Sequence, residues 1–397
     1  LSAVEIYQRL SVANPQVYEP DLAMTQNNLG NLYRDTQRYK ESEEMYLSVL
    51  TVYQRLTIAN PQVYELDLAR TQNNLGNLYR DTQRYKESEE MYLSAVEIYQ
   101  RLSVANPQVY EPDLAMVQNN LGLLYSDIQR YEDSEKMHLS AVEIYRRLAA
   151  ANPQVYEPDL AETQNDLGIL YSDTRRYEES EEMYLSAMEI RRRLAVANPQ
   201  VYEPGLARTQ YNLGCLYSDT RRYEESEKMY LSAMEIRRRL AVANPQVYEP
   251  DLADTQYNLG CLYYNIQRYE ESGEMYLSAL KVYQRLTVAD PQVYEPYLVR
   301  ACNNLSFLFL AQGNFEEAER YAREGAKYDS THHTIYTNLA ASLLFQGRYA
   351  EAEEIYLRYK EELKEDFLSD FEDFYQRGII PPEREDDVER IKKLLSK

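Results

Sequence analysis

A helix-breaking step returns along this chain at a fixed interval. Asn14, Asn60, Asn106, Asn152, Asn198 and Asn244 each precede a proline, Asp290 takes the same place, and every interval is 46 residues. A period of that order marks a stacked array, in which one unit cannot bury its own apolar face and its neighbours complete the core. Within the unit, two stretches have helical spacing. The first runs from Pro20 to Thr36 with Leu22, Leu29, Leu32 and Tyr33 at intervals of three, four and seven. The second runs from Tyr39 to Ala59 with Ser42, Tyr46, Val49, Tyr53 and Leu56 at alternating steps of four and three. No segment alternates in the manner of a strand. Pro20, beside Asp21, is placed to open the first helix, and Asn60-Pro61 closes the second. Each unit therefore reads as a helix-turn-helix hairpin, and the Pro107–Pro112 segment reads as a rigid connector between two of them.

Gly30 recurs as Gly76, Gly122, Gly168, Gly214 and Gly260. All lie in mid-helix, where glycine costs about 1 kcal/mol relative to alanine. A loss repeated this often implies a helix of the same hairpin passing too close for a β-carbon. Small residues face the glycine at Ser42, Ser88, Ser134, Ser180, Ser226 and Ser272, then Ala318. This pairing resembles the tetratricopeptide repeat, in whose 34-residue pattern Leu29, Gly30, Tyr33, Ser42, Tyr46 and Val49 would take the seventh, eighth, eleventh, twentieth, twenty-fourth and twenty-seventh positions. Near the C-terminus, Leu305 to Leu339, Gly313 to Gly347 and Ala318 to Ala352 are 34 residues apart, which argues against HEAT or armadillo repeats. The resemblance covers residues 1–364, and the long form with Asn27-Asn28-Leu29-Gly30 is most similar to the subclass of kinesin light chains and bacterial multi-repeat proteins. Two positions depart from it. Gln26 stands at the favoured tryptophan, and Gln37, Gln83, Gln129, Arg175, Arg221 and Gln267 stand at the loop glycine, where a left-handed turn is costlier without one. The resemblance implies an all-α, right-handed α-solenoid with the first helices lining its inner surface.

The organisation follows. Residues 1–19 are an incomplete repeat, second helix only, with a connector; 20–295 are six near-identical repeats; 296–364 are two divergent, shorter repeats; and 365–397 are C-terminal capping helices. Leu1 to Leu10 matches Leu93 to Leu102, so the chain opens inside a second helix and reads as a fragment or a processed product. All seven phenylalanines fall after residue 306, so the last quarter builds a separate core. Phe367, Phe371 and Phe374 share one helical face, Gly378 ends that helix, and Val388, Ile391 and Leu395 point inward from a final one. Solenoid ends need such polar-faced caps.

A net charge of −22 disfavours nucleic acid, whose binding is led by phosphate contacts to lysine and arginine. Much of the charge suits helix dipoles, as in Glu178 to Glu182 at one end and Arg191 to Arg193 at the other; the alternative is a pattern that selects a basic partner. The longest apolar run, 305–311, is far short of a membrane span. Three cysteines, Cys215, Cys261 and Cys302, have no metal or disulfide spacing and point to a reducing, cytoplasmic setting. No phosphate loop, metalloprotease helix or nucleophile elbow is present, so neither an enzyme nor a cofactor is expected. His138 replaces a repeat tyrosine and should be packed at a repeat interface, and the adjacent His332 and His333 suit a helix start better than a metal.

The remaining candidates are polar residues of the first helices. Asn28, Asn74, Asn120, Asn212, Asn258 and Asn304 precede the core leucine, with Asp166 as the exception. Asn27, Asn73, Asn119, Asn165 and Asn303 stand before them, with Tyr211 and Tyr257 substituted, and Asn31, Asn77, Arg34 and Arg80 join the same face. The resemblance implies that asparagines at these fifth and sixth positions hydrogen-bond a ligand backbone, since an amide donates and accepts at once. Alternatively, one asparagine of each pair bonds a neighbouring helix and holds the stack. Lysine, which the family's carboxylate clamp wants at the fifth position, is absent. Two functions result: a non-catalytic interaction scaffold that takes an extended peptide or a partner helix along the inner face, or self-association into a filament or tube through repeat–repeat contacts, with lateral tyrosine-rich surfaces.

Overall fold

The computed structural model describes residues 2–328 and 333–396, which form nineteen α-helices and a 3-10 turn with no strand among them. Expectations placed on Leu1 and His332 lie outside the described residues. Helix α1 (Ser2–Ala13) precedes the hairpins α2 (Pro15–Asp35) with α3 (Tyr39–Ala59), α4 (Pro61–Asp81) with α5 (Tyr85–Ala105), and α6 (Pro107–Asp127) with α7 (Tyr131–Ala151). Then come α8 (Pro153–Asp173) with α9 (Tyr177–Ala197), α10 (Pro199–Asp219) with α11 (Tyr223–Ala243), and α12 (Pro245–Asn265) with α13 (Tyr269–Ala289). The C-terminal part holds α14 (Pro291–Ala311) with α15 (Phe315–Gly325), α16 (Ile335–Phe345) with α17 (Tyr349–Arg358), α18 (Lys360–Gln376), a 3-10 turn at Pro382–Arg384 and α19 (Glu385–Ser396). Compact packing divides the chain into two units, Leu1–Gly205 and Leu206–Lys397, each built from such stacked pairs. No described helix is long and apolar enough to cross a membrane.

The second helices lie where the periodicity puts them, but the first helices begin five residues earlier than expected. Pro20 is inside α2, and the helix opens at Pro15, so the supposed connector of residues 107–112 is also helical. Asn60 alone breaks the chain between hairpins, extended at φ −147°, with Pro61 at the first helical position of α4. Pro20 removes only the hydrogen bond to the carbonyl of Gln16, which sits in the exposed first turn and can face water. Two 21-residue helices, a three-residue turn and this one-residue joint fill the 46-residue period.

Within the hairpin, the glycine receives an aromatic ring. A β-carbon on Gly76 would lie 2.7 Å from Tyr92 Cε1, and Gly30 has the same relation to Tyr46. The serine expected opposite it has a different part: Ser88 Oγ donates to the Gly76 carbonyl at 2.8 Å. Between helices, the Arg84 N–H donates to the Tyr79 carbonyl at 2.7 Å while Gln83 turns left-handed at φ +59°. The Arg84 guanidinium then lies 4.1 Å over the Tyr79 ring and bonds Glu43 of the preceding hairpin at 2.6 Å. Such exposed pairs stabilise by only about 1 kcal/mol or less, so burial holds the stack. Leu75, Leu78 and Tyr79 of α4 pack on Tyr46 of α3, each hairpin completing the core of the one before.

In the second unit the C-terminal helices form their own core. Phe367, Phe371 and Phe374 of α18 are buried with Val388, Ile391 and Leu395 of α19, as their spacing indicates. Gly378 ends α18 at φ +68°, and His333 stands just before α16, its carbonyl accepting from the Tyr336 N–H at 2.9 Å.

Two substitutions should shift stability against their usual sign. Gly76→Ala supplies a better helix former but drives its methyl into Tyr92, and should lower unfolding stability by about 1–3 kcal/mol. Gln83→Gly relieves a left-handed glutamine and should raise stability by about 1 kcal/mol. Denaturant titration of both variants checks the pair.

Candidate functional site

The asparagines of the first helices bond to one another across hairpins. Asn74 Nδ2 donates to Asn27 Oδ1 at 3.2 Å, and Asn120 Nδ2 donates to Asn73 Oδ1 at 3.0 Å. Each step joins residues 47 apart, so the sixth-position amide of one hairpin meets the fifth-position amide of its predecessor. Asn28, in the first hairpin, is exposed. Asn31 and Asn77 accept from the Tyr46 and Tyr92 hydroxyls at 2.5 and 2.6 Å. These amides brace the buried tyrosine rings that cover Gly30 and Gly76.

At the third step the ladder reverses. Asp166 replaces asparagine and as a carboxylate can only accept, so Asn119 Nδ2 donates to Asp166 Oδ2 at 3.0 Å. That leaves Asn119 Oδ1 facing His138 Nδ1 at 2.9 Å, and the ring must carry its proton on that nitrogen. A tyrosine at 138 would have lost its acceptor, because Leu123 stands where Asn31 and Asn77 stand in the preceding hairpins. The next hairpin keeps a tyrosine, Tyr184, although Ile169 replaces its asparagine. Burial, with a smaller contribution from Arg80, pushes the His138 imidazolium pKa down to about 4.

In the second unit the tyrosine substitutions continue the ladder with hydroxyl acceptors. Asn258 Nδ2 donates to Tyr211 Oη at 2.5 Å and Asn304 Nδ2 to Tyr257 Oη at 2.7 Å. Arg237 lies 4.6 Å over the Tyr211 ring and Arg300 4.3 Å over Tyr257. Asn303 Oδ1 accepts from Asn338 at 2.9 Å. Asn212 is half-buried, and Asn165, in the first unit, is buried. Cys215 and Cys261 take the positions of Asn31 and Asn77, and burial raises both thiol pKa values, keeping them protonated. Among the described residues, no cluster of histidine, cysteine and carboxylate side chains could hold a metal.

A second row of the same face carries charge. Arg34 Nε meets Asp81 at 2.6 Å and Arg80 Nε meets Asp127 at 2.5 Å, each across one repeat step. Ser126 then replaces the arginine, so Asp173 receives no such guanidinium, and burial pushes its carboxyl pKa up. Half-buried Leu123 and 37% exposed Ile169 replace the asparagines in the same two hairpins. Toward the C-terminus of the second unit this face is covered. Phe374 of α18 packs against Phe307 and Phe345 at ring distances of 5.9 and 5.6 Å, and Arg377 donates to Tyr264 Oη at 2.7 Å. The sequence signal for this division was the loss of Arg34 and Arg80 at Ser126, in step with that of Asn31 and Asn77 at Leu123.

His138 generates a pH prediction. Its folded pKa lies below the unfolded value, so its neutral form is fully favourable above about pH 6.5. Stability should fall as pH drops from there toward 4, by about 3 kcal/mol at about 1.4 kcal/mol per pKa unit. Chemical denaturation at several pH values should show this component in the wild type and not in His138→Gln.

Profiles of the tetratricopeptide repeat match residues 22–57, 67–147, 113–193, 159–239, 252–291 and 309–368. Among solved structures, a signal transduction ATPase with numerous domains from Pyrococcus horikoshii, which has a tetratricopeptide repeat sensor, aligns with TM-score 0.59 and 18% identity over 93% of this chain and 54% of its own. BtubC (BKLC) from P. vanneervenii aligns with TM-score 0.52 and 22% identity over 63% of this chain and 92% of its own. The apo form of RapI aligns with TM-score 0.51 and 14% identity over 77% and 97%. These likenesses concern the fold. Curated protein sequences gave no match. Repeat profiles and hairpin geometry agree along most of the chain, and this protein belongs to the tetratricopeptide repeat family.

Proposed function

We propose that the chain is a non-catalytic scaffold for a protein partner, and that the partner lies as an extended peptide or a helix along the first helices of the third and fourth hairpins. One observation carries this reading. Apart from exposed Asn28, the polar side chains of the first two hairpins are engaged with one another, whereas Leu123 and Ile169 present apolar surface near Asp173, a carboxylate that lacks its repeat arginine. A guanidinium or ammonium group brought by the partner would stand to Asp173 as Arg80 stands to Asp127. A chain of net charge −22 favours a basic segment at long range as well. In this reading Asn74, Asn120 and Asn258 act mainly through the stack, and Arg34 and Arg80 set the polar border of the binding face.

Selection of random peptides on the immobilised protein, followed by fluorescence anisotropy, tests the proposal. Enriched peptides should place a basic residue within a few positions of an aliphatic one. Asp173→Asn should weaken them by about 1 kcal/mol, or about fivefold. Peptides without basic residues, or with affinity indifferent to Asp173→Asn, would contradict it.

A further inference from the structure

The joints between hairpins carry an apolar edge that no part of the described structure covers. Val12, Ile58, Val104 and Val196 are 84, 85, 86 and 84% exposed, each just before its Asn-Pro step. Val17, Val63 and Val109, on the far side of the same steps, are more than half exposed. A branched apolar side chain that packs on nothing stands at four of the five joints of this unit, with Ala150 in its place before Asn152, and it does not serve the solenoid core.

Charge distinguishes this edge from the rest of the surface. Residues 10–18, 56–64 and 102–110 contain no charged side chain. Beyond Arg9 at the chain's first helix, the flanking charges pair within their own hairpins: Glu19 with Arg55, Glu65 with Arg101 at 2.9 Å, and Glu111 with Arg147 at 2.7 Å. In a chain of net charge −22, two copies meeting through most other faces would bring like charges together, and this edge is neutral.

We infer that the edge of Asn-Pro joints in the first unit is a self-association surface whose occupant is the same edge of a second copy, arranged about a two-fold axis. A partner with the same period can meet several successive joints in register, and a second copy necessarily has it. A two-fold arrangement closes the assembly at a dimer. Stable interfaces bury about 800 Å² per partner, an area that takes several joints. This inference is independent of the peptide-binding face, and either can fail alone.

The test is mass by light scattering after size exclusion, on the whole chain from about 1 to about 100 μM and at low and high salt. The expected result is a concentration-dependent rise from 46.7 kDa to twice that mass, persisting in high salt because the contact is apolar. Ile58→Glu with Val104→Glu should hold the protein at the single mass with unchanged circular dichroism and thermal midpoint. Ile58→Ser with Val104→Ser is the milder form and should shift the dimerisation midpoint at least tenfold. A wild type that stays at 46.7 kDa throughout, a dimer that survives both double variants, or a single-mass protein that uses these residues to bind phosphatidylcholine vesicles would overturn the inference.

Discussion

A tyrosine ring laid against a glycine sets the geometry of each hairpin. With the Tyr92 ring 2.7 Å from the place a β-carbon on Gly76 would take, the two helices have one spacing at which both pack. The Ser88 hydroxyl bonds the carbonyl of the same glycine and fixes the register along the axis. Because Leu75, Leu78 and Tyr79 then pack on the preceding Tyr46, hairpin geometry propagates to the stack. Burial supplies the energy of the array, and the Arg84 contacts with Tyr79 and Glu43 orient it for little net gain.

Polar groups along the first helices follow from that register. Once Asn73 and Asn120 face each other, an amide at both positions satisfies the buried acceptor, whose loss would cost about 1–3 kcal/mol. A change at one rung re-pairs its neighbours in the third hairpin. Asp166 fixes the Asn119 amide, Asn119 needs a donor, and His138 supplies it where Leu123 has removed the acceptor a tyrosine would use. The consequence for function is a divided face. Where the rungs and the arginine–aspartate pairs are complete, little hydrogen-bonding capacity is left for a ligand; where they lapse at Ser126, apolar surface and an unmatched carboxylate remain.

The period, the helix pairs and the cap were legible because they depend on patterns local to one repeat. The second helix could be bounded at Tyr39 and Ala59 from its flanking residues. The start of the first could not, since Pro15 and Pro20 both offer a fixed φ and only stacking shows that Glu19 stays helical before a proline. Glycine and serine announced their pairing, but the ring between them depends on how Tyr46 turns. The amide ladder was legible only as one of two alternatives, because its partners are 47 residues apart, one more than the period, and the exposed valines were hidden because apolar residues in a periodic chain read as core. Tyr46, placed in the core by its spacing, is fully buried, as are its repeat equivalent Tyr92 and Tyr99.

The most direct test of this account is a double-mutant cycle on unfolding stability with Asn73→Ala, Asn120→Ala and the combination. The amide ladder as a stacking device predicts a coupling energy of about 1 kcal/mol between the two positions, with the double variant less destabilised than the sum of the singles. Additive effects of the two substitutions would contradict it and return both asparagines to the pool of ligand-binding groups.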